Sequence, residues 1–176
     1  MRILLSGFMG AGKTTVGRLL AERLGVPFRD LDAMIEERTG RSVRELFESA
    51  GESEFRRLER EALAAACAVD PAVVALGGGT LSAPGGLELA RRSGVVVWLH
   101  PPFSTIARRI GALGKTDRPL FRDEASAFDL YRQRLAAYKS SADLVVEVAP
   151  QEEAVEVAAR LALLVEPRLV DRPCTI

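Results

Sequence analysis

Gly7-Phe8-Met9-Gly10-Ala11-Gly12-Lys13-Thr14 matches the pattern GxxxxGK[ST], and these residue types suit one task, the holding of a polyphosphate. Glycines let backbone N–H groups turn inward toward phosphate oxygens, and a helix opening at the end of the loop adds partial positive charge. A lysine in this place reaches the β- and γ-phosphates, and the threonine hydroxyl is offered to Mg²⁺. Gly10, Ala11, Gly12, Lys13, Thr14 and Thr15 are therefore the candidate nucleotide contacts, with Lys13 also a candidate catalytic cation and Thr14 a candidate metal ligand. The same cradle serves switches, motors and kinases, so the acceptor of a phosphoryl group must be sought elsewhere. A GTPase switch would need an Asn-Lys-x-Asp motif to read guanine, and the chain contains no asparagine.

Two further groupings have chemical potential. Asp30 and Asp32 follow a short strand candidate at Pro27-Phe28-Arg29, and the carboxyl end of a strand is where open α/β sheets place ligands. One carboxylate can hold Mg²⁺ through water while the other orients or deprotonates a hydroxyl; the alternative is that one of them caps the next helix. Gly77-Gly78-Gly79 follows the run Val73-Val74-Ala75-Leu76 and is either a tight turn or a surface of bare N–H groups for a bound oxygen.

The elements that must carry these residues are legible as short apolar runs between longer amphipathic stretches. Ile3-Leu4-Leu5, Val73 to Leu76, Val95 to Leu99 and Leu144-Val145-Val146 suit strands buried on both faces of a parallel sheet. Val16, Leu19, Leu20 and Leu24 share one face of a helix from Lys13 to Leu24, and Gly25 with Pro27 stops it. Ser42 and Glu45 form a capping box opening a helix that Gly51 ends, and a second helix spans 53–68. Further helices are expected near 85–92, 103–110, 125–139 and 151–164. This β-α alternation predicts a P-loop NTPase-like α/β fold: a doubly wound, five-stranded parallel sheet with helices on both faces. The domain is expected over 1–165, with a mobile lid near 111–124 and a C-terminal tail over 166–176.

Composition narrows the function classes. The chain has 176 residues, 48% of them hydrophobic, and equal totals of 24 basic and 24 acidic residues, which suits one domain and gives no footprint for nucleic acid. No apolar run approaches the roughly 18 residues of a membrane span. Met1 leads directly into the glycine loop without secretory features, so a cytoplasmic protein is expected. Cys67 and Cys174 lack metal-site or disulfide spacing. His100, alone of its kind, and Trp98 and Phe103 are assigned to structure rather than chemistry.

Taken together, GFMGAGKTT, the Asp30-x-Asp32 pair, TGRSVRELFESAGESEFRRLE, VVALGGG, DRPLF and the Arg134-to-Tyr138 segment resemble the shikimate kinase family over nearly the whole chain to Pro150. The resemblance implies transfer of the γ-phosphoryl group of ATP to the 3-hydroxyl of shikimate, in chorismate biosynthesis, with ATP, shikimate and Mg²⁺ as partners of a monomer. It places Asp30 at the metal and Asp32 on the shikimate hydroxyls as a candidate base. It puts Arg56 and Arg134 on the shikimate carboxylate, Gly77, Gly78 and Gly79 on the same substrate, and Arg118 on the phosphates from the lid. It further implies that Pro150 lies beside the adenine, opposite Arg108 or Arg109. The chemistry is sound in its own terms, since a guanidinium fork pairs bidentately with a carboxylate and two of them orient a small anionic ring.

Overall fold

The computed structural model describes residues 1–112 and 123–170. Five parallel strands form one sheet in the order β2-β3-β1-β4-β5: β1 Arg2–Ser6, β2 Phe28–Asp30, β3 Ala72–Ala75, β4 Gly94–His100 and β5 Leu144–Glu147. The helices between them are α1 Lys13–Leu24, α2 Leu31–Thr39, α3 Val43–Cys67, α4 Gly86–Ser93, α5 Phe103–Ala112, α6 Glu124–Ser141 and α7 Ala154–Val170. The strand order places β1 at the centre, flanked by β3 and β4.

The side-chain period of two explains why β1 is apolar throughout. Ile3 and Leu5 face one helical layer, with Val16 and Leu20 of α1 and Val157 and Leu161 of α7. Leu4 faces the other, with Leu31 and Ile35 of α2 and Leu58 and Leu63 of α3. Leu4 and Leu5 are both fully enclosed, and burial of one such side chain is worth about 1.5–3 kcal/mol. A third cluster sits at the carboxyl end of the sheet, where Phe8 and Met9 of the glycine loop meet Trp98, Ile106, Ile110, Tyr131 and Tyr138. This cluster ties the loop to α5 and α6.

Three local features depart from, or refine, the sequence reading. The run Leu144-Val145-Val146 does form a strand, but at the sheet edge, paired with β4 alone: Val146 is buried under α7, while Val145, on the opposite face, is 46% exposed. The two helices expected on either side of Gly51 are both present: α3 is two helical segments that meet at a kink, Gly51 (φ 81, ψ 170), a backbone region open essentially to glycine. The capping box at its start is complete: the Ser42 hydroxyl accepts from Glu45 N and the Glu45 carboxylate accepts from Ser42 N, which holds the Glu45 carboxyl below its usual range. Finally, α7 runs on to Val170, five residues into the segment expected as a tail. Cys67 and Trp98 are buried. His100 stacks on Trp98 with ring centroids 4.1 Å apart and lies 3.0 Å from both the Glu147 carboxylate and the Tyr131 hydroxyl.

Candidate active site

The glycine loop joins β1 to α1 at the carboxyl edge of the sheet, so the N-terminal N–H groups of α1 open toward the ligand side. Gly7 has φ 141, and a Cβ there would stand 2.7 Å from the carbonyl oxygen of Leu99 in β4; only glycine lets the loop leave the sheet so close to its neighbour. The ammonium of Lys13 folds back over the loop, donating to Gly7 O at 2.8 Å and Phe8 O at 3.0 Å. The Thr14 hydroxyl donates to Asp30 Oδ2 at 2.7 Å, although the two residues are far apart in sequence. Asp30 also caps α2, its Oδ1 accepting from Asp32 N at 3.1 Å and Ala33 N at 3.4 Å. The two readings of Asp30 are thus compatible: one oxygen serves the helix and the other faces Thr14.

Lys13 lines two cavities at once. The larger, about 800 Å³, runs from Gly10 to Val16 of the loop across Asp30 to Arg108, Arg109 and Pro150 on the far side. Arg108 donates to Pro150 O at 3.2 Å, and Arg109 lies over the loop, donating to Gly10 O at 3.3 Å. The smaller, about 50 Å³, brings together Asp32, Arg56, Gly77, Gly78, Gly79 and Arg134, closed by Met9, Val43, Phe47 and Phe55. Residues from α2, α3, the loop after β3 and α6 converge there.

Close approach explains the three glycines. A Cβ on Gly79 would lie 2.6 Å from Arg56 Nη2, one on Gly78 3.0 Å from Arg134 Nη1, and one on Gly77 2.3 Å from Glu59 Oε1. Arg56 is stacked against aromatic rings, its guanidinium carbon 5.5 Å from the Phe55 centroid and 6.0 Å from that of Phe47; that of Arg134 lies 5.9 Å from the Phe8 centroid. Both cations are thereby held in place without losing their outward N–H donors.

Two residues without an assigned role from sequence complete this wall. Glu59 is buried and accepts from Arg56 Nη1 at 2.7 Å and from the Thr80 hydroxyl at 2.6 Å, so it fastens α3 to the loop after β3. Burial works against the Arg56 charge, but Glu59 and the exposed Glu52 outweigh it and raise the guanidinium's pKa. Tyr138 donates to Gly78 O at 2.6 Å. Its own pKa is pushed up to about 12, chiefly by burial, with Arg134 pulling the other way. Spacing held the signal for both: Glu59 lies one helical turn after Arg56 and Tyr138 one turn after Arg134. Arg118 lies outside the described residues.

A phosphate loop at the head of a central parallel strand, beside a second cavity lined by two arginines, defines a P-loop kinase of small molecules. The family model described as Shikimate kinase matches residues 9–164. A shikimate kinase of Thermobifida fusca is 47% identical over 161 residues, covering 89% of this chain and 91% of that protein. One of Chlorobium chlorochromatii is 48% identical over 122 residues, covering 69% of this chain and 63% of that protein. The solved structure of shikimate kinase from Acinetobacter baumannii in complex with shikimate matches with a TM-score of 0.90 at 34% identity, over 97% of this chain and 95% of that one. The chain belongs to the shikimate kinase family.

Proposed function

We propose that the protein moves the γ-phosphoryl group of ATP to the 3-hydroxyl of shikimate, giving ADP and shikimate 3-phosphate for chorismate biosynthesis. The observation that carries this reading is that Lys13 lines both the phosphate-loop cavity and the cavity holding Arg56 and Arg134. A phosphate held by the loop then faces a hydroxyl whose ring is anchored through its carboxylate.

In this reading the shikimate carboxylate takes the outward donors of Arg56 and Arg134 and displaces Glu52 from Arg56, while Glu59 keeps its hold on the guanidinium. Gly77, Gly78 and Gly79 let the ring approach the backbone. Asp32 orients the 3-hydroxyl and accepts its proton as the oxygen attacks. Lys13 leaves the Gly7 and Phe8 carbonyls for the β- and γ-phosphate oxygens. Gly10, Ala11, Gly12, Thr14 and Thr15 hold the remaining phosphate oxygens, and Arg118 adds positive charge to the transferring group. Such transfer depends on position and charge more than on covalent chemistry by the protein, so no side chain becomes phosphorylated. Pro150 borders the adenine.

The Thr14 hydroxyl and the Asp30 carboxylate, 2.7 Å apart, are a hard-oxygen pair that suits Mg²⁺, a cation that keeps several waters and shares phosphate oxygens. Thr14 would hold it directly and Asp30 through water. When bound, Mg²⁺ neutralises phosphate charge. We further assign the protein to the cytoplasm as a monomer.

The test is ADP release from Mg-ATP with and without shikimate, with mass spectrometry of the product. Shikimate-dependent release and a shikimate 3-phosphate ion are expected. Preferential turnover of gluconate, or ATP binding without transfer to any acceptor, would overturn the assignment.

A further inference from the structure

The end of the large cavity away from the phosphate loop is walled by the turn after β5, Ala149 to Gln151, with Pro150, Gln151 and the following Glu152 lining the cavity. Three side chains hold this turn. Glu152 Oε2 accepts from Ala149 N at 3.0 Å. Arg160, two turns along α7, donates to Glu152 Oε1 from Nε at 3.1 Å and from Nη2 at 2.8 Å, and Nη2 also lies 3.0 Å from Oε2. The same nitrogen donates to Glu147 O at 2.7 Å. From the opposite side, Arg108 of α5 donates to Pro150 O.

Helix α7 does not need Glu152 for its own start. The N–H of Glu153, just before the helix, is accepted by the Glu156 carboxylate at 2.9 Å, and Glu156 N and Val157 N donate to Glu153 O. The Glu152 side chain is only 17% exposed, and a carboxylate bound by two nitrogens of one guanidinium is better defined than a surface ion pair. Its Oε2 also accepts from the turn at Ala149 N.

We infer that Glu152, held by Arg160, is a positioning residue that sets the Ala149–Gln151 turn against the base of the nucleotide, and so governs affinity for ATP and preference between purine bases. This rests on reading the large cavity as the ATP site. With phosphates anchored on the loop, the base meets the far wall, and the Pro150 and Gln151 face selects among bases only if the turn is held still.

The experiment measures ATP affinity by calorimetry, and KM for ATP, GTP and shikimate, in wild type and in Glu152→Ala. The expected result is a rise of about tenfold in both Kd and KM for ATP, the size of one lost charge-assisted hydrogen bond. The ATP-to-GTP preference should narrow while KM for shikimate stays within about twofold. Arg160→Ala, which leaves the carboxylate in place, should give a smaller rise of about threefold, and it serves if the first variant folds poorly. The exchange Glu152→Arg with Arg160→Glu restores an ion pair but offers Ala149 N no acceptor, so the weakened ATP binding should persist. Unchanged ATP affinity in Glu152→Ala, unchanged ATP affinity in Arg160→Ala, which would leave Glu152 a direct contact from the cavity wall, or full recovery in the exchanged protein would overturn the positioning role. A wild type that binds no ATP would overturn the nucleotide reading beneath it.

Discussion

The larger cavity, proposed for the nucleotide, takes one wall from a continuous stretch, Gly10 to Val16, whereas the smaller, proposed for the acceptor, collects Asp32, Arg56, Gly77 to Gly79 and Arg134 from four separate places in the chain. The first is shaped by backbone: Gly7, Gly10 and Gly12 all have positive φ, and the lysine rests on its own loop carbonyls. The second is shaped by side chains, and long-range bonds hold it together, Glu59 to Thr80 and Tyr138 to Gly78. Local geometry makes a phosphate site; tertiary packing makes an acceptor site. The two are expected to fail differently when mutated.

The largest expected separation comes from the acceptor arginines. Arg56→Ala and Arg134→Ala should each raise KM for shikimate on the order of a hundredfold, the upper range for losing charged hydrogen bonds. Titration calorimetry should find ATP affinity unchanged in both. Equal loss of ATP affinity would erase the distinction between the two cavities.

A matched pair of glycine variants sharpens the comparison at intermediate size. Gly7→Ala puts a methyl group 2.7 Å from a backbone carbonyl at φ 141, so it should lower unfolding free energy by about 1–3 kcal/mol in urea. Gly79→Ala meets the Arg56 guanidinium and pushes it off the buried Glu59. It should therefore cost about 1–3 kcal/mol of stability as well, and raise KM for shikimate about tenfold by displacing the guanidinium.

The smallest effect concerns Tyr138. Its pKa is raised from 10.0 to about 12, so its neutral form is favoured in the fold. The associated stability is fully present below pH 10 and is lost as pH rises toward 12. Tyr138→Phe should cost about 1 kcal/mol near neutral pH through the lost bond to Gly78 O. The difference between the two proteins should shrink across that alkaline window in denaturant titrations.

The same contrast explains what was legible beforehand. The phosphate loop could be read because its residues are adjacent and each type has a mechanical reason to be there. The strand runs at Ile3 to Leu5 and Val95 to Leu99 could be read because burial on both faces demands continuous apolarity. Leu144 to Val146 carried the same pattern while lying at the sheet edge, since apolar content does not say how many neighbours a strand has. Arg56 and Arg134 were placed by resemblance; as lone helical arginines they look like solvated charges. Helical spacing tied Glu59 and Tyr138 to Arg56 and Arg134, but their hold on Thr80 and Gly78 emerged once α3, the loop after β3 and α6 were brought together, because those partners are remote in sequence. Arg109, with its reach to Gly10 O, and Glu152, with its hold on the Ala149 N–H, likewise depend on contacts no local pattern encodes.

The break at Gly51 acquires a further meaning in this light. Val43 and Phe47, the apolar side of the acceptor cavity, stand on the segment of α3 before the break, while Phe55, Arg56 and Glu59 stand on the segment after it. The angle between the two segments is set at Gly51 and kept by packing across the break, where the Phe47 and Phe55 ring centroids lie 4.5 Å apart. Nothing within 4 Å surrounds a Cβ at Gly51, so the position is sterically open and conformationally closed. A substitution there would be strained at φ 81 and would re-angle Val43 and Phe47 against Phe55 and Arg56, so a residue that touches nothing sets how two walls of the cavity meet.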